Sequence, residues 1–544
     1  MDTIVTSPPL IALLGVALLL FLRLAYNWWN SPCQHLPGPP SSSFWYGSIK
    51  DLNADETNSL HERWVSQYGP TFTYKGLFGR SRLYTVDVKA IQHILHHNYD
   101  YEKLESTRFV MSSVIGNGVL VTEGDKHRSQ RKVMNPAFGP AQIREFGDIF
   151  LEKSVQLRDI WSAYLSKHGE GSEIDVLSWF SKATLDIISI AGFNYQLDTL
   201  SDTPARTEFH DSLDTIFQMA SASKMNVWRI LQAYVPALRI LPSAFDPNLL
   251  KARATMLQMG KQLLEETRTF QLGTGEKGHS MHAKDLLSLM VRSNMSEDVS
   301  IDQRMNDEDV IAQVPTFLVA GHETTSTALA WTLFSLAENP EIQSRLRAEL
   351  LSLKTENPTM DQINSLLYLD AVIKETLRIY CPVTSPNRVA MKDDVIPLSR
   401  PFKDKYGVIH NTLPVRKGQT ITIPIISINR DKYLWGEDAK EFKPERWSNL
   451  PEAVSGIPGV WGNTLTFLGG ARSCIGWRFA VMEMKVLLFT LIRTFEYEMA
   501  VPKEDIIVKR SALFQKPVVK SRTQEGRMRN ELPLLVKTVK DGDA

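Results

Sequence analysis

Phe467-Leu468-Gly469-Gly470-Ala471-Arg472-Ser473-Cys474-Ile475-Gly476 places one cysteine between glycines, two residues after an arginine, in a turn led by a phenylalanine. The apolar stretch that follows, from Trp477 through Phe495, has its hydrophobic residues at helical spacing. Cys474 therefore occupies a tight loop just before a buried helix, where loop amides and the positive helix end favour a thiolate. Gly470 and Gly476 let the backbone approach a flat ligand that a Cβ would obstruct. Arg472 sets a cation beside a carboxylate on that ligand. A buried structural cysteine is the competing reading, the usual fate of a lone thiol. The number of fixed residue types in so short a stretch weighs against it.

The 544 residues suffice for one large domain plus an appendage. Lys plus Arg and Asp plus Glu both number 61, so the formal charge is zero and a nucleic-acid partner is not indicated. Three cysteines, Cys33, Cys381 and Cys474, make no disulfide framework and point to a reducing compartment. Pro8 to Leu22 carries no charge. With Ile4-Val5 and the segment out to Tyr26 it reaches the ~20 residues a bilayer span requires. Arg23 follows, Trp28-Trp29 suits the headgroup interface, and Asp2 is the only earlier charge. A cleaved signal peptide is the alternative, but no basic n-region or small-x-small site is present. The division expected is an N-terminal membrane anchor over 1–30, a Pro/Ser-rich hinge over 31–45 and a catalytic domain over 46–544.

Along that domain, Pro70 to Tyr74 and Arg82 to Val86 alternate about Gly76-Leu77-Phe78-Gly79 and predict a β-hairpin, with a helix over Asp87 to His96. In Gly124 to Arg131, His127 and Arg131 stand four apart and share a helical face. Ile143 to Leu264 is helical in pattern, Gln271 to Asp309 is loop-rich, and Asn294-Met295-Ser296 is a glycosylation sequon. A long helix is predicted from Asn306 to Glu338, kinked by Pro315. Within it, Ala320-Gly321-His322-Glu323-Thr324-Thr325 holds poor helix formers, whose hydroxyls could open the helix beside the Glu323 carboxyl. Glu375 and Arg378 face one way on a further helix and could form a buried pair with a third group. Pro401 to Ile428 alternates in β fashion.

The spacing Phe-x-x-Gly-x-Arg-x-Cys-x-Gly resembles the haem-ligand loop of the cytochrome P-450 family. Further segments resemble that family in the same order. His35-Leu36-Pro37-Gly38-Pro39-Pro40 is similar to its microsomal proline hinge. Ala320 to Thr325 is similar to its oxygen-activating groove, and Phe442-Lys443-Pro444-Glu445-Arg446-Trp447 to its Pro-Glu-Arg segment. The resemblance covers nearly the whole chain after residue 35 and implies a mainly α fold with a smaller β-rich region, behind one transmembrane helix. It implies haem b as cofactor, Cys474 as its axial iron ligand, and a cradle of Phe467, Gly470, Gly476, Arg472, Arg131 and Arg388. His127 stands where the family more often has Trp. Glu375, Arg378 and Arg446 would form a structural triad, and Thr324 with Glu323 would supply protons by way of water. Phe317, Ala320, Val383, Thr384 and Phe514 would line the substrate pocket, to which the stretches 109–115, 217–225, 383–385 and 513–514 contribute.

The resemblance further implies a monooxygenase using O2 and electrons from a separate NADPH-cytochrome P-450 reductase, with cytochrome b5 as a second donor. It implies the endoplasmic reticulum membrane, with the catalytic domain cytosolic. Lys126, Arg128, Lys132, Arg478 and Lys485 would form the cationic patch that meets an acidic partner. The substrate expected is lipophilic, with terpenoid or other secondary-metabolite tailoring in a fungus first and fatty acids, alkanes or xenobiotics second. An O2-independent isomerase and a non-catalytic haem protein are the remaining alternatives.

Overall fold

Residues Thr71–Lys75 and Ser81–Thr85 pair antiparallel, with Phe72 opposite Tyr84 and both fully buried. That is the predicted hairpin, and aromatic pairs at its centre are what stabilise such a ladder. Ser81–Thr85 continues in parallel with Thr420–Thr422, then come Asn387–Ala390 and Tyr101–Glu102, completing a five-stranded sheet. Helix Val88–His96 begins at Asp87, whose carboxylate accepts from the Ala90 amide and also receives the Ser399 and Arg400 amides. These elements form one of two compact units, comprising residues 1–54, 59–102 and 387–423. The computed structural model describes residues 15, 32–55, 59–201, 208–221, 227–241, 247–271, 285–297, 300, 303–510, 514–522 and 529–539. The expected anchor over 1–30, and Met225 and Leu513 of the expected lining, lie outside the described residues.

The second unit, residues 55–58, 103–386 and 424–544, is mainly helical. The helices that matter below are α1 (Gly124–Met134), α2 (Val176–Phe193), α3 (Gln313–Ala337), α4 (Leu367–Ile379) and α5 (Trp477–Thr494). A hairpin of β1 (Ile506–Arg510) and β2 (Gln515–Val519) stands apart from the three-stranded sheet of Ser172–Asp175, Pro533–Thr538 and Phe495–Met499. α3 is buried on nearly every face, as a helix apolar all round must be. α2 is long and apolar enough to cross a membrane by length and composition, but most of it is buried inside this unit. It packs on α3, where a Cβ at Gly321 would stand 2.7 Å from the Ile188 side chain. Gly321 is therefore a close-packing residue.

Three expectations are corrected here. The long helix predicted from Asn306 is two helices, Asp307–Ile311 and α3, separated at Ala312. Pro315 lies in the first turn of α3, where its ring would clash with the carbonyl of Ile311, and the interruption is local: Ala312 keeps helical dihedrals and its amide still donates to the Glu308 carbonyl. α3 then runs unbroken through Gly321 to Thr325, because the hydroxyls of Thr324 and Thr325 bond back to Ala320 and Gly321 without displacing the ladder. The β pattern predicted to Ile428 ends at Thr422, and Ile425–Asn429 is helical. A short apolar run does not distinguish the two. Asn294 of the sequon is tied down on both sides, giving to the Met305 carbonyl at 2.8 Å and accepting from its amide at 2.7 Å.

Candidate active site

The cysteine loop is built by backbone constraint. Leu468 and Gly470 both have left-handed φ, at 55° and 69°. The Cys474 amide donates to the Phe467 carbonyl at 2.8 Å, closing the turn, and Phe467 packs edge-on against Trp461. Gly469, which sequence reasoning passed over, is the most constrained position, since a Cβ there would fall 1.6 Å from the Pro458 carbonyl oxygen. Gly476 has ordinary φ and its nearest neighbour to a new Cβ, on Phe138, lies 3.8 Å away. Only the first glycine of the expected pair, Gly470, therefore needs its conformational freedom.

Cys474 keeps free surface, yet burial is what pushes its thiol up from the usual value, against the Gly476 amide and Arg131, which pull it down. The two facts agree if the open face looks into a space among protein atoms. The Gly476 amide and Arg131 act in the direction expected of the loop, against the burial of the thiol.

Around the loop the cations converge. Arg131 donates to the Ser473 carbonyl at 2.6 Å and to Asn135 at 3.0 Å. Arg472 donates to the Thr122 carbonyl at 2.9 Å and pairs with Glu123, which Lys103 also reaches at 3.4 Å. His127 is buried beside them. Its own burial, with Arg472, Lys103 and Arg131 behind it, holds it down at about 3, so the ring is neutral at physiological pH. Arg131, Arg472 and Lys103 thus gather around His127, with Glu123 paired to Arg472 and Lys103. A flat group with two carboxylates and a thiolate-seeking metal fits that donor set. Arg388 is buried on Asn387–Ala390 in the other unit, with its guanidinium on the Asn387 carbonyl at 3.0 Å.

On α3, Thr324 Oγ1 donates to the Ala320 carbonyl at 2.8 Å. Glu323 is buried, and burial pushes its carboxyl up, but His322 and Lys516 outweigh that and hold it at about 2. Lys516 was not foreseen, and no local signal marks it. Phe317 meets the Phe138 ring at 5.4 Å, and Phe317 and Phe514 belong to the apolar core against which Val383 packs. The Thr384 carbonyl accepts from the Ile426 amide at 3.2 Å. Ala320 is half-buried.

The structure brings Glu375, Arg378 and Arg446 together with full burial. Arg378 grips the carboxylate through both nitrogens, at 2.9 and 2.8 Å, and Arg446 reaches it at 2.8 Å. Lys443 N and Trp447 Nε1 add bonds at 3.0 and 3.1 Å. Of the expected cationic patch, Lys485 is corrected: it is buried against Asp370 at 2.8 Å. Lys126 is paired with Asp309, while Arg128 and Arg478 are exposed.

Comparison with known proteins accords with this geometry. The family described as Cytochrome P450 matches residues 37–520. Cytochrome P450 monooxygenase 205 of Postia placenta is 47% identical, over 97% of both chains. Cytochrome P450 monooxygenase 128 of the same fungus is 45% identical, over 94% of this chain and 93% of its own. Cytochrome P450 monooxygenase claO of Ampulloclitocybe clavipes is 35% identical, over 93% of each. Fold and relatives together define a haem-thiolate oxidoreductase. The chain belongs to the cytochrome P450 family and is a monooxygenase.

Proposed function

We propose that this monooxygenase hydroxylates a lipophilic small molecule, with a terpenoid or related secondary metabolite of a fungus as the first candidate. The observation that supports the substrate class is the apolar character of the expected lining, with Phe317 and Phe514 buried, Val383 packed against the apolar core, and Thr384 and Ala320 half-buried. The similarity to fungal monooxygenases supports the source of the substrate but does not identify the molecule.

Haem b, held by Cys474, supplies the oxygen-activating chemistry when bound. Arg131 and Arg472, with the neutral His127 beside them, would hold its carboxylates. Phe467 and Gly470 shape the cysteine loop. Thr324 and Glu323 hold and pass protons at Oγ1 and at the carboxylate oxygens. Electrons come from a separate NADPH-dependent reductase, with cytochrome b5 as a second donor, and an N-terminal segment over 1–30 anchors the chain to the endoplasmic reticulum membrane.

The test is reconstitution of the full chain with such a reductase in lipid, offered a panel of sesquiterpenes and, separately, medium-chain fatty acids. Oxygenated terpene products that require NADPH support the reading. Turnover confined to the fatty acids overturns the terpenoid assignment. Product from a hydroperoxide without NADPH or O2 would point to an isomerase. Thr324→Ala should shift NADPH consumption from product to peroxide, and unchanged coupling would remove Thr324 from the relay.

A further inference from the structure

We propose that Lys516 is a positioning residue for proton delivery, holding Glu323 from strand β2 as an ionised carboxylate beside Thr324; this rests on the relay reading of Glu323 and Thr324. A carboxyl as buried as Glu323, 4% exposed, takes up a proton unless cations face it. Lys516 is such a cation. On the other side His322 Nδ1 lies 2.8 Å from the Leu318 carbonyl, and Nε2 faces Glu323 Oε1 at 3.4 Å. Lys516 Nζ pairs with Oε2. Among the described residues, α2 presents Thr184 and Ile188 to this turn, α5 brings the Glu483 carboxyl, pushed well up by burial, against Thr325, and β1 sets Lys509 opposite Lys516. Phe217 meets the His322 ring at 4.1 Å in a tilted contact.

Lys516 is well placed to hold the carboxylate because its strand is fixed. The neighbouring Gln515 donates its amide to the Pro382 carbonyl at 3.0 Å and its side chain to the Cys381 carbonyl at 2.6 Å. β2 is also laddered to β1 along its full length. The pair therefore ties the carboxylate on α3 to a strand that itself is bonded to the segment carrying Val383 and Thr384. An ionised carboxylate must accept a proton before it can donate one, and it returns to its starting state after each transfer. Without Lys516 the same buried group would keep its proton at neutral pH and stop exchanging it.

The experiment compares K516M, K516R, E323Q and K516M/E323Q in the full-length holoprotein. The first readout is the infrared stretch of a protonated carboxyl, which needs neither substrate nor turnover. The band is read as a difference from the wild type, since burial already pushes the Glu483 carboxyl well up: K516M should gain it at neutral pH, K516R should show no difference, and K516M/E323Q should lose it again. The second is the share of NADPH electrons released as peroxide with reductase present and no substrate added, followed across pH. K516M should raise that share and make it pH-dependent, K516R should restore the wild-type profile, and E323Q should mask the effect of K516M. A K516M protein without the band, or with a band that survives E323Q, overturns the proposal. So does a peroxide increase from K516M that is equally large in the E323Q background, which would mark a merely structural lysine. If E323Q and T324A both leave the peroxide share unchanged, the relay reading fails and the catalytic role of Lys516 with it. The band then decides the ion pair alone.

Discussion

Replacing Glu375 with Gln keeps the shape of the buried cluster and removes the one carboxylate that Arg378 and Arg446 share. The two guanidiniums of Arg378 and Arg446 then face each other across a neutral amide. Breaking a fully buried ion pair by removing one partner costs about 3–5 kcal/mol. Arg378 still has the carbonyls of Asn429, Ala439 and Glu441, and Arg446 still has Asp438, so the lower end applies. We expect Glu375→Gln to cost about 3 kcal/mol. Glu375→Leu should cost about 5 kcal/mol, because the Lys443 amide and Trp447 Nε1 lose their acceptor as well. Arg446→Leu leaves the two-pronged Arg378 to Glu375 pair intact and should cost only about 2 kcal/mol. The assay is urea unfolding of the holoprotein, followed both by the haem absorbance and by far-ultraviolet circular dichroism, since a chain of two units need not unfold in one step. If Arg446→Leu proves as costly as Glu375→Gln, the charge balance argued here is wrong.

Gly469→Ala should abolish haem retention on purification, since its Cβ would collide with the Pro458 carbonyl, whereas Gly476→Ala should purify with full haem content. His127 sets an acid slope. Between about 3 folded and 6.5 unfolded, the unfolded chain binds a proton that the native chain does not, so stability falls as pH drops below 6.5. At ~1.4 kcal/mol per pH unit the loss reaches about 2 kcal/mol near pH 5. His127→Phe should flatten that part of the urea-midpoint profile, and an unchanged slope would place the titration elsewhere.

What the sequence made legible was whatever lies within a turn or two of itself. The cysteine loop, the Thr71–Lys75 hairpin and the Asp87 helix start carry their reasons in adjacent residues. The Glu375 cluster was readable because two of its members share a helical face and the third sits in a recognisable segment. Glu123 as the partner of Arg472, Lys516 as the partner of Glu323 and Pro458 as the wall behind Gly469 were not readable. Each is a contact between distant positions, and neither periodicity nor spacing encodes which distant side chain arrives. The local interruption at Ala312 was legible as the disturbance that Pro315 announces.

Four carboxylates in the helical unit share one arrangement. Glu123 lies between Lys103 and Arg472, Glu323 between His322 and Lys516, Asp370 between Lys374 and Lys485, and Glu375 between Arg378 and Arg446. In each case one base is near in sequence and the other comes from the chain beyond residue 440. Each clamp therefore pins the C-terminal part of the unit to the helices before it. For Glu123, Asp370 and Glu375, whose bases are all Lys or Arg, the arrangement is asymmetric: losing a base leaves a balanced pair, while losing the acid leaves two cations that share no carboxylate. Asp370 tests this away from the candidate active site. Asp370→Asn should cost about 2 kcal/mol, leaving the buried Lys485 without a counter-charge. Lys485→Met should be near neutral, because an apolar chain of similar volume replaces a buried ion and Lys374 still balances Asp370 at 2.6 Å. A Lys485→Met protein less stable than Asp370→Asn would show that the lysine stem, and not the charge, holds α5 to α4.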